Sequence, residues 1–269
     1  MPFHKLYNYF IYYSNAVNHY RIHSPLIYDF YFKVLADKRY FYAFERLEKY
    51  RNIVLIPFLS ENKDIYISVK NIESRGLRLR HIRDLHKTSS YDIFVFKVAE
   101  WYQPDHIIDI HDCPSLTVHY LNSAIRSAPL SSISLSETAN RIISKTISEL
   151  ESQNINLYTI HSLEDHGSLS KPNSYQKVLI SIQVDLTNAT VLQFLKGYLK
   201  ANTNQKIALV IKGIHATRTM EEGWRMLTEM TAAKYTIDVF NYGLILISPK
   251  IKDNKYFTLI KFANKPIAW

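Results

Sequence analysis

From residue 91 onward the chain alternates between two kinds of segment, and this alternation constrains its fold more than any other feature. Short apolar runs over 106–110, 131–135, 157–161, 177–182 and 206–211 have the length of buried strands. Between and around them, 91–102, 114–125, 137–151, 189–200 and 220–230 carry apolar residues at a helical period. Strand, helix and strand in succession make a parallel crossover, because parallel partners need a long connection and antiparallel partners only a turn. The pattern predicts an α/β fold with a doubly wound, mostly parallel, Rossmann-like sheet. The end of the chain breaks the pattern. Strands over 236–240, 243–248 and 256–262 follow one another without helices and are expected as an antiparallel edge.

The beginning differs again. Sixteen of residues 1–50 are Tyr or Phe. Leu6, Phe10, Tyr13 and Val17 recur at helical spacing and predict a buried stripe. Ser24 before Pro25 reads as an N-cap with proline at the first helical position, opening a helix to about residue 35; a third helix is expected near 41–51. Residues 1–62 are therefore read as a helical extension and 63–269 as the α/β domain, with a short strand at 64–69. The aromatic block is expected to pack on the domain as a lid or buttress. A base-stacking platform is the lesser alternative, since such platforms usually sit on sheets.

Composition excludes several chemistries. The six glycines lie too far apart for a GxG turn, a phosphate-cradling P-loop or a GxSxG elbow. The single cysteine, Cys113, excludes a disulfide framework, a zinc knuckle and a CxxC pair. The longest apolar runs, 207–211 and 243–248, are far shorter than the roughly 20 residues a membrane-spanning helix needs. The first seventeen residues are interrupted by Asn8, Ser14 and Asn15, unlike a signal peptide. The expectation is a soluble, reduced, cytoplasmic protein. Net charge is +9, and Arg75, Arg78, Arg80, Arg83 and Lys87 against Asp84 concentrate much of it in one segment. That segment reads either as a solvated helix face or as a contact for a polyanion such as RNA.

Five parallel strands followed by an antiparallel C-terminal hairpin is the plan of a class I S-adenosylmethionine methyltransferase, and the chain resembles a bacterial set of such proteins in local wording. His23-Ser24-Pro25-Leu26-Ile27-Tyr28-Asp29 and Asp37-Lys38-Arg39-Tyr40 resemble the N-terminal helical part of that set. Met220-Glu221-Glu222-Gly223-Trp224, Thr236-Ile237-Asp238-Val239-Phe240 and Gly243-Leu244 resemble its C-terminal third. The resemblance spans nearly the whole chain, on stretches that look structural rather than chemical. It implies a methyltransferase-like sheet and, as cofactor, S-adenosylmethionine.

The chemistry-bearing stretches depart from the family. Where the family has an acid and then a glycine-rich turn, this chain has Asp109-Ile110-His111-Asp112-Cys113-Pro114-Ser115-Leu116-Thr117. Only Asp109 and Thr117 match; His111 and Ser115 replace the glycines. Glycine lets a backbone approach a ligand, whereas a side chain there fills the ligand's volume. Pro114 has no N–H to donate and suits a helix start, with Asp112 or Cys113 as cap. The ribose-binding acid falls on Ser134, which lacks the two-oxygen, charge-assisted grip of a carboxylate; Glu137 is the nearest substitute but sits where acids favour a helix N-terminus. The family's metal acids fall on Ile182-Gln183-Val184-Asp185 and Lys212-Gly213, too few oxygens for a hard cation.

The remaining constellations are weaker. His19 and His23 have the i, i+4 spacing of a ligand pair without the zincin glutamate. His161, Glu164, Asp165 and His166 cluster after the third strand and read chiefly as a polar loop. Asp109, His111, Asp112, Asp185, Lys212 and His215 follow strand C-terminal ends, the ligand edge of an open α/β sheet. The sequence therefore points to a class I methyltransferase-like protein that is non-catalytic, a binding or scaffold protein holding neither cofactor nor metal. The positions facing the lost cofactor are Asp109, His111, Asp112 and Ser134. One alternative is an active S-adenosylmethionine-dependent methyltransferase with an unusual pocket of Asp109, His111 and Asp185. Another is an RNA-associated protein using 75–87. Expected partners are protein or nucleic acid.

Overall fold

The computed structural model describes residues 3–56, 90–160, 177–230 and 234–260. The N-terminal part is helical: α1 (Phe3–Asn15), a 3-10 turn (His19–Arg21), α2 (Pro25–Phe30) and α3 (Tyr42–Tyr50). Both α2 and α3 run on into a wider π turn, Tyr31–Leu35 and Arg51–Leu55. Ser24 stands extended before α2 and Pro25 takes the first helical position, where its fixed φ costs nothing.

Helix α4 (Ser90–Tyr102) then leads into β1 (His106–His111), α5 (Thr117–Ala124), β2 (Leu130–Ser134), α6 (Glu137–Leu150) and β3 (Ile155–Thr159). After them come β4 (Lys177–Gln183), α7 (Ala189–Ala201), β5 (Lys206–Lys212) and α8 (Arg218–Met230). The chain closes with β6 (Lys234–Asp238), β7 (Tyr242–Ile247) and β8 (Lys255–Thr258). The described strands form one sheet in the order β3-β2-β1-β4-β5-β7-β6-β8. β1 to β5 are mutually parallel, and β7 runs antiparallel between β5 and β6. β8 is the exception to the expected edge. It pairs with β6 in parallel, because β7 lies on the other flank of β6.

Alternation of side chains on the central strands builds a core on each face of the sheet. Ile107, Leu130, Leu179, Ala208 and Val210 meet α2, α4 and α5 on one face. Ile108, Ile110, Ile133, Ile180 and Leu209 meet α7 and α8 on the other. A third cluster joins α3 to the domain through Phe44, Leu47, Phe96, Leu116 and Tyr120. Close approach explains two of the glycines that carried the resemblance. A Cβ on Gly243 would lie 2.6 Å from the Trp224 ring, and one on Gly223 would collide with Leu186. Gly243 leaves room for the Trp224 ring and Gly223 lets α8 approach Leu186, a packing role for both.

Three local expectations need correction. On α1 the buried stripe is Asn8, Tyr12 and Ala16, while Leu6 and Phe10 face outward. The spacing was right, but an aromatic helix offers more than one apolar face, and contact with Phe240 selected this one. α5 begins at Thr117, not at Pro114, and neither Asp112 nor Cys113 caps it; Leu116 precedes it without a side-chain cap bond. β3 begins two residues before the expected run, because its pairing with β2 sets its limits at 155–159. The strand expected at 64–69 and the basic segment 75–87 lie outside the described residues, as does the 161–166 run.

Candidate functional site

The C-terminal ends of β1, β2 and β4 form the edge where an open α/β sheet binds its ligands. Register places Asp109 beside Ser132 and Ser181, and His111 beside Ser134 and Gln183. In each case the polar side chains serve one another. The His111 Nε2 lies 2.9 Å from the Ser132 hydroxyl. Ser134 donates to the Ser136 carbonyl at 2.9 Å and accepts from the Ser136 N–H at 3.0 Å. Gln183 donates to Asp109 at 3.3 Å. Asp109, His111, Ser134, Thr117 and Ile182 each have 0% of their surface accessible. A side chain with no accessible surface borders no space that a water molecule can enter.

Burial sets the protonation of this layer. Burial pushes the Asp109 carboxyl up to about 7, and the bonds from Ser181 and Gln183 and the charge of Lys212 oppose this only in part. Its second oxygen has no hydrogen-bond partner, which a neutral carboxyl tolerates better than a carboxylate. Desolvation pulls His111 down to about 4, so its imidazole is neutral at physiological pH.

Above this layer lies a network that sequence reasoning missed. Arg51, from the π turn after α3, reaches Asp92 at the head of α4 at 2.6 Å. Both are almost wholly buried, with 2% and 1% of their surfaces accessible. Arg51 also bonds Glu48, which accepts from the Tyr120 hydroxyl at 2.5 Å. The second Asp92 oxygen accepts from the Thr117 hydroxyl, and Thr117 in turn accepts from Ser115. The N-terminal helices thus supply a buried cation that is linked through Asp92 to Thr117 at the start of α5. A signal was present: Asp92 and Lys97 are the charged residues inside the apolar stretch 91–99. Asp92 meets Arg51, and Lys97 donates to the Asp37 carbonyl at 2.6 Å.

The other candidates do not converge on this layer. Asp112 and Cys113 are half-buried in the turn. Asp185 is exposed and accepts from Thr187, with Thr219 at 3.4 Å. Lys212 is exposed, its ammonium 5.5 Å from the Tyr91 ring centre. His19 and His23 do not share a helix face, because the 3-10 turn ends at Arg21; His19 packs instead on Tyr31 and Phe32. Among the described residues no group of three or more His, Cys, Asp or Glu side chains is placed to hold a metal ion.

His215 alone finds charged company. It lies 2.8 Å from Asp238 and 3.6 Å from Glu221. His4 and Asn8 of α1 reach the other Glu221 oxygen at 3.2 and 2.8 Å. Tyr256 donates to Asp238 at 3.1 Å. Burial opposes protonation of His215, but the two carboxylates prevail and raise its pKa.

The residues of the β1–β2 edge do not fit S-adenosylmethionine. Ser134 stands at the ribose position and bonds the Ser136 backbone, side chains occupy both expected glycine positions, and the Ser115 hydroxyl bonds that of Thr117.

No protein-family model and no curated protein matches the chain. Among solved structures it is similar to the O-methyltransferase TomG from Streptomyces achromogenes in complex with S-adenosylmethionine, at 13% identity and a TM-score of 0.49 over 69% of this chain and 95% of that one. It is also similar to an O-methyltransferase from Bacillus cereus with S-adenosylhomocysteine, at 14% identity and 0.48 over 69% and 96%. A third is the S-adenosylhomocysteine-bound methyltransferase PaMTH1 from Podospora anserina, at 10% and 0.47 over 71% and 96%. The chain's own strand order, five parallel strands and then an antiparallel strand inserted beside β5, is a class I methyltransferase-like fold.

Proposed function

We propose that this chain is a non-catalytic member of the methyltransferase-like folds that works as a binding or scaffold protein. One observation carries the reading: Asp109, His111 and Ser134, at the positions a cofactor would face, have no accessible surface and bond to their own neighbours. Seating an adenosyl group against these side chains would require breaking those bonds. The active alternative requires Asp109, His111 and Asp185 in one pocket, and the exposure of Asp185 speaks against it.

Isothermal titration of the full chain with S-adenosylmethionine is expected to give no binding heat at millimolar ligand. Micromolar binding would overturn the reading and bring back a working enzyme, to be pursued by methyl transfer to cell extract. The contact surfaces we assign are the aromatic N-terminal helices and the basic segment carrying Arg75, Arg78, Arg80, Arg83 and Lys87. If the partner is RNA, affinity falls steeply with salt, and replacing Arg78, Arg80 and Arg83 with alanine weakens it. Unchanged affinity in that variant removes RNA from consideration at this segment.

A further inference from the structure

We propose that a cleft at the opposite edge of the sheet binds a single-chain amphiphile with an anionic head, a free medium-chain carboxylate being its simplest form. The cleft has a volume of about 550 Å3, in the range typical of small-molecule sites. Ile207, near the start of β5, pairs with Ile247 at the end of β7, and both line it. It therefore lies at the N-terminal end of β5, whereas Asp109 and His111 lie toward the C-terminal end of β1. The proposal stands whether or not the cofactor edge is functional.

Two features of the lining select the ligand. Leu199, Met230 and Pro249 join the two isoleucines in an apolar floor continuous with the core on that face. Such a floor favours an alkyl chain, at roughly 0.8 kcal/mol for each methylene buried. Lys196 and Lys200 line the same cleft, and no acidic residue does among the described residues. They stand four positions apart on α7, so their like charges repel along one helix face. Both are exposed, and neither has an ion-pair partner among the described residues. A carboxylate between them relieves that repulsion while its chain covers the floor.

The test titrates the full chain with octanoate, decanoate and dodecanoate below their micellar concentrations, followed by calorimetry. Each added methylene is expected to tighten binding about fourfold, the equivalent of ~0.8 kcal/mol. Decanol is expected to bind at least tenfold more weakly than decanoate. The double variant Lys196→Glu/Lys200→Glu should lose at least tenfold in carboxylate affinity while keeping its thermal midpoint, because both side chains are exposed. Leu199→Trp, which fills the cleft, should abolish binding. The proposal is overturned by absence of binding at millimolar dodecanoate, by affinity independent of chain length, or by affinity unchanged in the charge-reversed variant. It is equally overturned if the protein ignores the monomers and sediments only with phosphatidylglycerol vesicles.

Discussion

Two ends of the same sheet edge handle their polar side chains in opposite ways. At the ends of β1 and β2, Asp109, His111, Ser132 and Ser134 are wholly buried, burial favours the neutral forms of Asp109 and His111, and each of the four is bonded to a nearby side chain or backbone group. At the ends of β5 and β6, buried Asp238 and half-buried His215 and Glu221 lie within ion-pair distance of one another, and Glu221 engages the N-terminal helix through His4 and Asn8. The first arrangement spends its donors on groups of its own chain. The second joins α1 to Glu221 of α8. Both use the N-terminal extension, which contributes Arg51 to one and α1 to the other.

The largest expected effect comes from breaking the closed end at Arg51. Arg51→Ala leaves Asp92 buried without its cation, a loss of about 3–5 kcal/mol. Urea unfolding should show the midpoint falling accordingly. The double variant Arg51→Met/Asp92→Leu removes both charges and is expected to recover most of that stability, since a buried pair is often worth little against apolar side chains of similar size. If the single variant unfolds at the parent's midpoint, the pair is not what closes this end.

Asp109 gives the next effect, a few kcal/mol and dependent on pH. Its folded pKa, about 7, lies above its unfolded value. Folding therefore favours the protonated carboxyl, and the native state loses relative stability as pH rises from the unfolded pKa through 7, at ~1.4 kcal/mol per unit. Asp109→Asn keeps the shape and removes the titration. Its stability advantage over the parent is expected to grow from pH 4 to pH 7 and to stay level above that. An advantage independent of pH would mean that Asp109 has a charged partner.

Much of the sheet was legible because its signals are local. Each strand of the alternation reads as an apolar run, and the missing helices after residue 234 announced the change to antiparallel pairing. What could not be read was long-range pairing. Nothing local to Arg51 says that it crosses 41 positions to Asp92, nor does His215 announce its carboxylates. The buried face of α1 failed for a related reason. Tyr and Phe occupy several of its faces, and only the position of Phe240 on the domain decides which one packs.

The smallest effect tests the open end. His215 has a raised folded pKa because Asp238 and Glu221 outweigh burial. A raised value means that its contribution is complete below the unfolded pKa near 6.5 and is lost as pH rises through the folded one. The groups facing it are Asp238 from β6, Glu221 from α8 and, through Glu221, His4 from α1; Tyr256 from β8 bonds the same Asp238 oxygen. Amide exchange along α1 is therefore expected to quicken between pH 6 and pH 8 beyond the intrinsic increase, by an amount equivalent to about 1 kcal/mol. His215→Gln retains a hydrogen-bond donor for Asp238 but cannot be charged. It should lower α1 protection at pH 6 and leave it unchanged at pH 8, with Arg51 and Asp109 untouched at the other end. Equal losses at both pH values would mean that the contact holds α1 by hydrogen bonding and packing alone, and the contrast between the two ends would then rest on exposure rather than charge.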